Sequence, residues 1–359
     1  MKSKRKLQKL LSLLLIFALV FTLGACGGTT TPPPPPPPAD DPEEDVIDLN
    51  DPKQGEKLVI VFGTEGLPTA PQTQASMWAM ARIEEETGGR ITFEQHLAGA
   101  LGTGAQGLSQ VMDGTIHLSE VSVGLFSQYV DTVQVAQLPF LLGSYEKEYK
   151  AFNSPEWQAL LDSLEEIGVK ALSMNECGIR EFAHVSKPIN TVADIKGQKI
   201  RIVPSNMLQN AMEKLGANPV PIAYGEVYTA LQNKVIDALE INLMSMDTMN
   251  FYEVVKYMSF IGMYPFPTIL VLNLDYYNSL TPQDQALITK WFKEGTKHCF
   301  NVTLPAIEKT ALENLLAAGV VTNDIEDPTP FKELMKPVYD EYAALDPRIK
   351  AFIEMAEKL

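Results

Sequence analysis

Ala193-Asp194-Ile195-Lys196-Gly197-Gln198-Lys199-Ile200-Arg201-Ile202-Val203-Pro204 sits just past the midpoint of a 359-residue chain. Lys199 to Val203 reads as a short β-strand, because β-branched residues fill it between a glycine and a proline. Side chains alternate across a strand, so Arg201 faces away from Ile200 and Ile202. An arginine on so apolar a strand must find an anion. The anion is either an internal carboxylate, with an exposed edge position as the variant that needs none, or a carboxylate brought by a ligand. A guanidinium fork suits the second role because it gives two parallel hydrogen bonds to one carboxylate.

Working outward, short apolar or β-branched runs at Leu58 to Phe62, Ile91 to Phe93, Leu118 to Val123, Val169 to Met174 and Thr268 to Leu272 predict further strands. Helix signals fall between them. Ser154-Pro155 supplies an N-cap and a proline at the first helical position, Leu160, Leu161, Leu164 and Ile167 carry the apolar face, and Gly168 closes it. Thr281-Pro282-Gln283-Asp284 repeats that start and opens a long helical stretch ending near Gly319, with Pro305 as a kink or break. Alternating strands and helices predict an α/β protein with a largely parallel sheet in each lobe. Foldable sequence runs from Lys57 to Leu359, a length that favours two lobes over one core.

The beginning of the chain is of another kind. Lys2, Lys4, Arg5, Lys6 and Lys9 precede an apolar stretch from Leu10 to Leu23, which reads as an export signal too short to span a membrane comfortably. It ends in Leu23-Gly24-Ala25-Cys26, then Gly27 and Gly28. The run Pro32 to Pro38 and the acidic stretch through Asp51 cannot bury a core, so they read as a semi-rigid tether. Removing the signal takes away five basic and no acidic residues and moves the formal charge from −16 to −21, which argues against a nucleic-acid partner. Cys177 and Cys299 remain, as buried thiols or one bridge, and two cysteines make no disulfide scaffold.

Catalytic chemistry has no visible footing. His96, His117, His184 and His298 lack metal-ligand spacing, and there is no paired-cysteine motif or serine nucleophile elbow. Neither a metal nor a cofactor is therefore expected. Gly102-Thr103-Gly104-Ala105-Gln106-Gly107 fits the dinucleotide glycine pattern, but no acidic residue stands about 20 positions on, since Glu120 is too close. The alternative is a turn that feeds a helix N-terminus and lines a cleft.

Several segments together carry a resemblance. Arg180-Glu181-Phe182, Ser186-Lys187-Pro188-Ile189, Ala193 through Arg201, Gly216-Ala217-Asn218-Pro219-Val220-Pro221 and Gly225-Glu226-Val227-Tyr228-Thr229-Ala230-Leu231-Gln232 resemble the solute receptors of tripartite ATP-independent periplasmic (TRAP) transporters. Glu86-Thr87-Gly88-Gly89-Arg90-Ile91, Leu101-Gly102 and Leu138-Pro139-Phe140-Leu141 extend it, so that it covers nearly everything from Leu58 to the C-terminus. The Cys26 context resembles a lipobox, which implies lipidation of that cysteine.

The resemblance implies a two-lobed, periplasmic-binding-protein-like fold whose hinged cleft closes on a small organic carboxylate and delivers it to membrane permease subunits. No enzymatic activity is expected. The implied location is the outer face of the bacterial cytoplasmic membrane, with the lipid as anchor. Receptors of ABC importers or of sensor kinases are the alternatives. The implied division is signal 1–25, tether 26–56, lobe I from 57–177 plus 267–306, and lobe II from 178–266 plus 307–359. Crossings are placed near Cys177, Phe266 and Pro305.

By the same analogy Arg201 pairs with the ligand carboxylate, Arg180 adds a second polar contact and Tyr224 packs nearby. Where many members have Asp-Gly-Gln-Glu-Asn-Pro, this chain has Asp237-Ala238-Leu239-Glu240-Ile241-Asn242. Glu240, Ile241 and Asn242 are thus carried over as ligand-binding positions, with Ile241 where an asparagine usually stands. A one-place shift along a strand turns an amide to the other face, so Asn242 replaces it only if the backbone moves. The expected pocket is more apolar than that of sialic acid or uronate receptors, with Met244, Met246 and Phe266 as lining candidates. The expected ligand is a monocarboxylate or a carboxylate with an apolar body, such as a 2-oxo acid, with a dicarboxylate as the alternative.

Overall fold

The computed structural model describes residues 51–359; the expected signal, Cys26 and proline run lie outside the described residues. Its strands are β1 Leu58–Thr64, β2 Ile91–His96, β3 Leu118–Ser122, β4 Val169–Glu176, β5 Arg180–His184, β6 Lys199–Ile202, β7 Asn218–Pro221, β8 Ala238–Ile241, β9 Tyr257–Tyr264, β10 Pro267–Asn273 and β11 Val321–Asp324. They form two sheets, ordered β2-β1-β3-β10-β4 and β11-β9-β5-β8-β6-β7.

Each sheet is parallel but for one strand, β10 in the first and β5 in the second. One geometry explains both exceptions. The parallel strands of each sheet point their C-terminal ends at a common cleft. The chain crosses from β4 to β5 through residues 177–179, and from β9 to β10 through residues 265–266. A strand entered from the cleft must run away from it, against its neighbours. Gly178 takes φ +116°, and a Cβ there would lie 3.1 Å from that of Asn242, so the first crossing needs a glycine.

Helices cover the sheets. Ser154 caps the helix Pro155–Asp162 by accepting from the Trp157 amide, and the turn that follows ends at Gly168 with φ +78°. Thr281 likewise caps Pro282–His298. That helix does not break at Pro305. A π turn, Cys299–Thr303, widens the helix just before Leu304–Ala317 begins, which accommodates the proline ring and its missing donor.

Ile60, Phe62, Ile83, Ile91 and Phe292 pack one face of the first sheet beneath Pro71–Glu86 and Pro282–His298. A larger core joins Trp157 and Val271 to Ile200, Ile202, Phe331 and Phe352. Val227, Leu239, Ile241, Met258 and Leu315 fill the other face of the second sheet.

Two segments depart from the expected division. Residues 52–56 are pinned to the first sheet rather than free in the tether: the Arg90 guanidinium donates to Pro52 O at 2.9 Å and to Glu56 O at 3.1 Å. The last helix, Pro347–Ala356, expected with the second lobe, packs on elements of the first, with the Phe352 and Trp157 rings 5.4 Å apart.

Candidate functional site

The C-terminal ends of β1 and β3 face β6 and β8 across a cavity of about 100 Å³, the place where open α/β sheets gather ligand-binding groups. Thr64, Glu65, Glu120 and Ser122 line it from the first sheet, Arg180, Arg201 and Val203 from the second, and Cys177 and Phe266 from the crossings.

Arg201 is 1% exposed. Nε and Nη2 donate to Ile222 O at 3.0 and 2.7 Å, which fixes the plane of the guanidinium. Nη1 is buried with no partner among the described residues. Burial pushes this group down to about 10, countered by the Glu240 charge and reinforced by Arg180, so it stays cationic at neutral pH.

Arg180 opens β5 and lies 3.9 Å above the Phe266 ring centroid, a favourable seat for a cation. Nε donates to the Glu240 carboxylate, whose other oxygen accepts from the Val203 amide at 3.2 Å. Burial acts to lower the Arg180 pKa, but Glu240 prevails and raises it above the ordinary range. Its Nη2, like Nη1 of Arg201, is buried without a partner among the described residues. Two cationic donors beside one cavity thus make no hydrogen bond, with the Tyr264 hydroxyl standing next to the Arg180 guanidinium.

The remaining expected positions divide. Tyr224 and Asn242 line the cavity. Tyr224 donates its hydroxyl to Ser245 Oγ at 3.1 Å. Asn242 is committed at both ends of its amide, since Nδ2 donates to Cys177 O at 2.7 Å and Oδ1 accepts from the Ser245 amide at 3.0 Å as the cap of Leu243–Thr248. It therefore locks the crossing to that helix. Glu240 does not line the cavity and acts through Arg180. Ile241 is fully buried on the opposite face of β8, packed in the core beside Leu239 and Val227, and contributes nothing to the lining. Met244 and Phe266 reach the cavity, whereas Met246 stays in the core.

The first sheet's wall was missed in the sequence and is polar. Glu65 accepts from the Gly104 amide at 2.9 Å, and burial raises its pKa. Glu120 is held by Ser76 at 3.0 Å, Asn175 at 3.1 Å and Thr73 at 3.4 Å. Burial still pushes it up to about 7. Gln72 Oε1 and Ser122 Oγ are buried without partners among the described residues. A lone carboxyl inside the apolar run Leu118 to Val123 was the signal that could have revealed Glu120.

The glycine pattern is cleft-side structure. Thr103 caps Gly104–Met112 in a capping box with Gln106, and a Cβ on Gly104 would lie 2.7 Å from Glu65 Oε1. Cys177 and Cys299 are buried free thiols. Among the described residues no group of three or more His, Cys, Asp or Glu could hold a metal ion.

A family model for the bacterial extracellular solute-binding proteins, family 7, matches residues 62–345. The chain is similar to the 2,3-diketo-L-gulonate-binding periplasmic protein of Escherichia coli, 31% identical over 65% of this chain and 72% of that one. It is also similar to the C4-dicarboxylate-binding periplasmic protein of Rhodobacter capsulatus, 26% identical over 82% and 89%. A crystal structure of a TRAP periplasmic solute-binding protein from Desulfovibrio salexigens, with bound orotic acid, superposes with a TM-score of 0.80 at 29% identity, covering 84% of this chain and 98% of that one.

Proposed function

The chain belongs to family 7 of the bacterial extracellular solute-binding proteins, the solute receptors of TRAP transporters, and from that premise we propose that it closes on a small monocarboxylate clamped by Arg201 and Arg180. The observation that carries this reading is the pair of unpartnered guanidinium nitrogens, Arg180 Nη2 and Arg201 Nη1, buried beside one cavity. A buried cationic donor without an acceptor is costly, and a carboxylate removes that cost at both atoms.

The opposite wall narrows the ligand. A second carboxylate at that end would meet Glu65 and Glu120 and fit only with those carboxyls protonated, which adds a cost for a dicarboxylate that a monocarboxylate does not carry. Hydroxyl or N–H donors would be accepted there by Glu65 and Gln72 Oε1. This moves the preference from the apolar-bodied acid expected from Ile241 towards an acid with hydrogen-bond donors at its far end. The orotic acid of the Desulfovibrio relative and the D-glucuronate of a Pseudomonas putida relative both fit that description.

Closure is the step a permease reads: contacts from both sheets shift the population towards the closed cleft. An anchor at Cys26 and a spacer through residue 50 would keep the receptor on the outer face of the cytoplasmic membrane near that permease. The test is a thermal-shift screen of the purified protein against monocarboxylates, dicarboxylates, 2-oxo acids and sugar acids. A ligand at ~100 times its Kd stabilises the fold by ~2.7 kcal/mol, a readable shift. Shifts from neutral ligands alone would discard the carboxylate clamp.

A further inference from the structure

Glu176 ends β4 where the chain leaves the first sheet, and one carboxylate oxygen holds both crossings. Its Oε1 accepts from the Gly178 amide at 2.7 Å in one and from the Phe266 amide at 2.9 Å in the other. The helical run that also joins the two sheets carries Glu308, which accepts from the Tyr145 hydroxyl. That hydroxyl oxygen accepts in turn from the Ile179 amide at 3.1 Å. The links between the lobes therefore converge on a cluster of acids.

Glu148, on the helix Tyr145–Phe152, is fully buried and within hydrogen-bonding reach of Glu176. Neither Glu148 oxygen nor Glu176 Oε2 has a donor among the described residues. Two carboxylates cannot donate to each other, but a carboxylic acid can donate to a carboxylate, so one proton between them joins one Glu148 oxygen to Glu176 Oε2. A metal ion is a poor substitute, since no arrangement of acids and thiols among the described residues could hold one. The groups facing the pair from the surrounding elements are Glu308, Tyr145 and the thiols of Cys299 and Cys177. Glu120 and Arg180 lie further off, near the thiols.

We propose that Glu148 and Glu176 share a single proton at the junction of the lobes, and that losing it opens the cleft. This rests on the receptor reading only in treating closure as the binding step. Burial, then the Glu176 charge, holds Glu148 well above the usual carboxylate range. In this proposal opening, which moves the crossings that Glu176 holds, admits water to the pair and returns it towards that range. The closed form therefore binds the proton more tightly. Closure is favoured below the open-state value and is lost as pH rises through the closed-state value, by up to about tenfold in population per pH unit.

An infrared pH titration of the full-length protein in heavy water reads the C=O stretch of a buried carboxylic acid, and Glu148→Gln identifies the band. Small-angle scattering on the same samples, with and without excess D-glucuronate, follows the radius of gyration. The expected result is a band that survives at neutral pH and is lost on the alkaline side, with expansion over the same interval in the wild type and none in Glu148→Gln. A band already absent at neutral pH overturns the proposal, as does loss of the band without expansion in either sample. Should Glu148→Gln not fold, Glu176→Gln and the wild-type curves decide by the same criteria. Failure of D-glucuronate to bind bears on the ligand, whereas the band and the ligand-free radius bear on the proton.

Discussion

Arg180 and Glu240 form an ion pair sealed inside the second sheet, although Arg180 also lines the cavity. β5 and β8 are antiparallel, with Phe182 opposite Glu240, so the pair reaches diagonally across the strands. Removing the carboxylate strands a buried cation and frees the Val203 amide. Glu240→Ala should cost about 3–5 kcal/mol in a urea unfolding curve, the range for breaking one side of a buried pair. Glu240→Gln, which keeps an acceptor, should cost less. Equal stability of Glu240→Ala and wild type would mean that Arg180 finds another partner.

Arg201 is braced by a backbone carbonyl instead of an acid, so its charge is left for the cavity. Truncating one side of a buried charge pair costs about 2–5 kcal/mol. Arg201→Ala should therefore weaken binding by roughly 30-fold or more, at 1.4 kcal/mol per decade. Calorimetric titration with whichever carboxylate raises the melting temperature checks this. Arg201→Lys should recover only part of the loss, because one ammonium cannot both brace on Ile222 O and present a fork. Unchanged affinity in folded Arg201→Ala would place the carboxylate elsewhere.

The strands legible in the sequence are those with continuous apolar or β-branched runs, such as Leu58 to Phe62 and Thr268 to Leu272. β7 was hidden by Pro219 and Pro221, which an edge strand tolerates, and β11 by its polar Thr322-Asn323-Asp324 at the other edge. Within the site, alternation marked Arg201 as a cation in need of an anion but left an internal carboxylate and a ligand as alternatives, and its place at the ligand came from the family resemblance. The first sheet's wall was not legible. Glu65 and Gln72 come to line one cavity with Arg201 only because the two sheets pack across it, a tertiary relationship no local pattern encodes. The alternation argument applied to the asparagine does not hold for a related reason. β8 ends at Ile241, so Asn242 is a helix cap at the crossing, and strand alternation no longer governs where it points.

Asn242 gives a test that separates capping from ligand contact. Asn242→Asp keeps the acceptor for the Ser245 amide but loses the donor to Cys177 O. Leaving that carbonyl opposite a carboxylate should cost about 1–3 kcal/mol. Asn242→Ala should lose the cap as well, worth about another 1 kcal/mol. The measurement is the thermal midpoint without added ligand. If both variants melt like wild type and only binding changes, the side chain serves the ligand instead of the crossing.

Glu120 should make stability depend on pH in a defined interval. Its folded-state value is pushed up to about 7 by burial, against an ordinary value of 4.5, while Asn175, Ser76, Thr268 and Thr73 pull the other way. Between those two values the native state holds a proton that the unfolded chain has released, so the group's stabilisation is complete below the lower value. It is lost as pH rises through the upper one. At 1.36 kcal/mol per unit this amounts to roughly 3 kcal/mol. Glu120→Gln has no proton to lose, so it should be less stable relative to wild type in acid and gain on it by about that amount between pH ~4.5 and ~7. Urea unfolding of both proteins across this interval measures the difference directly. Curves that run parallel would show that Glu120 is already ionised in the folded protein throughout, held by its four hydrogen-bonding neighbours despite its burial.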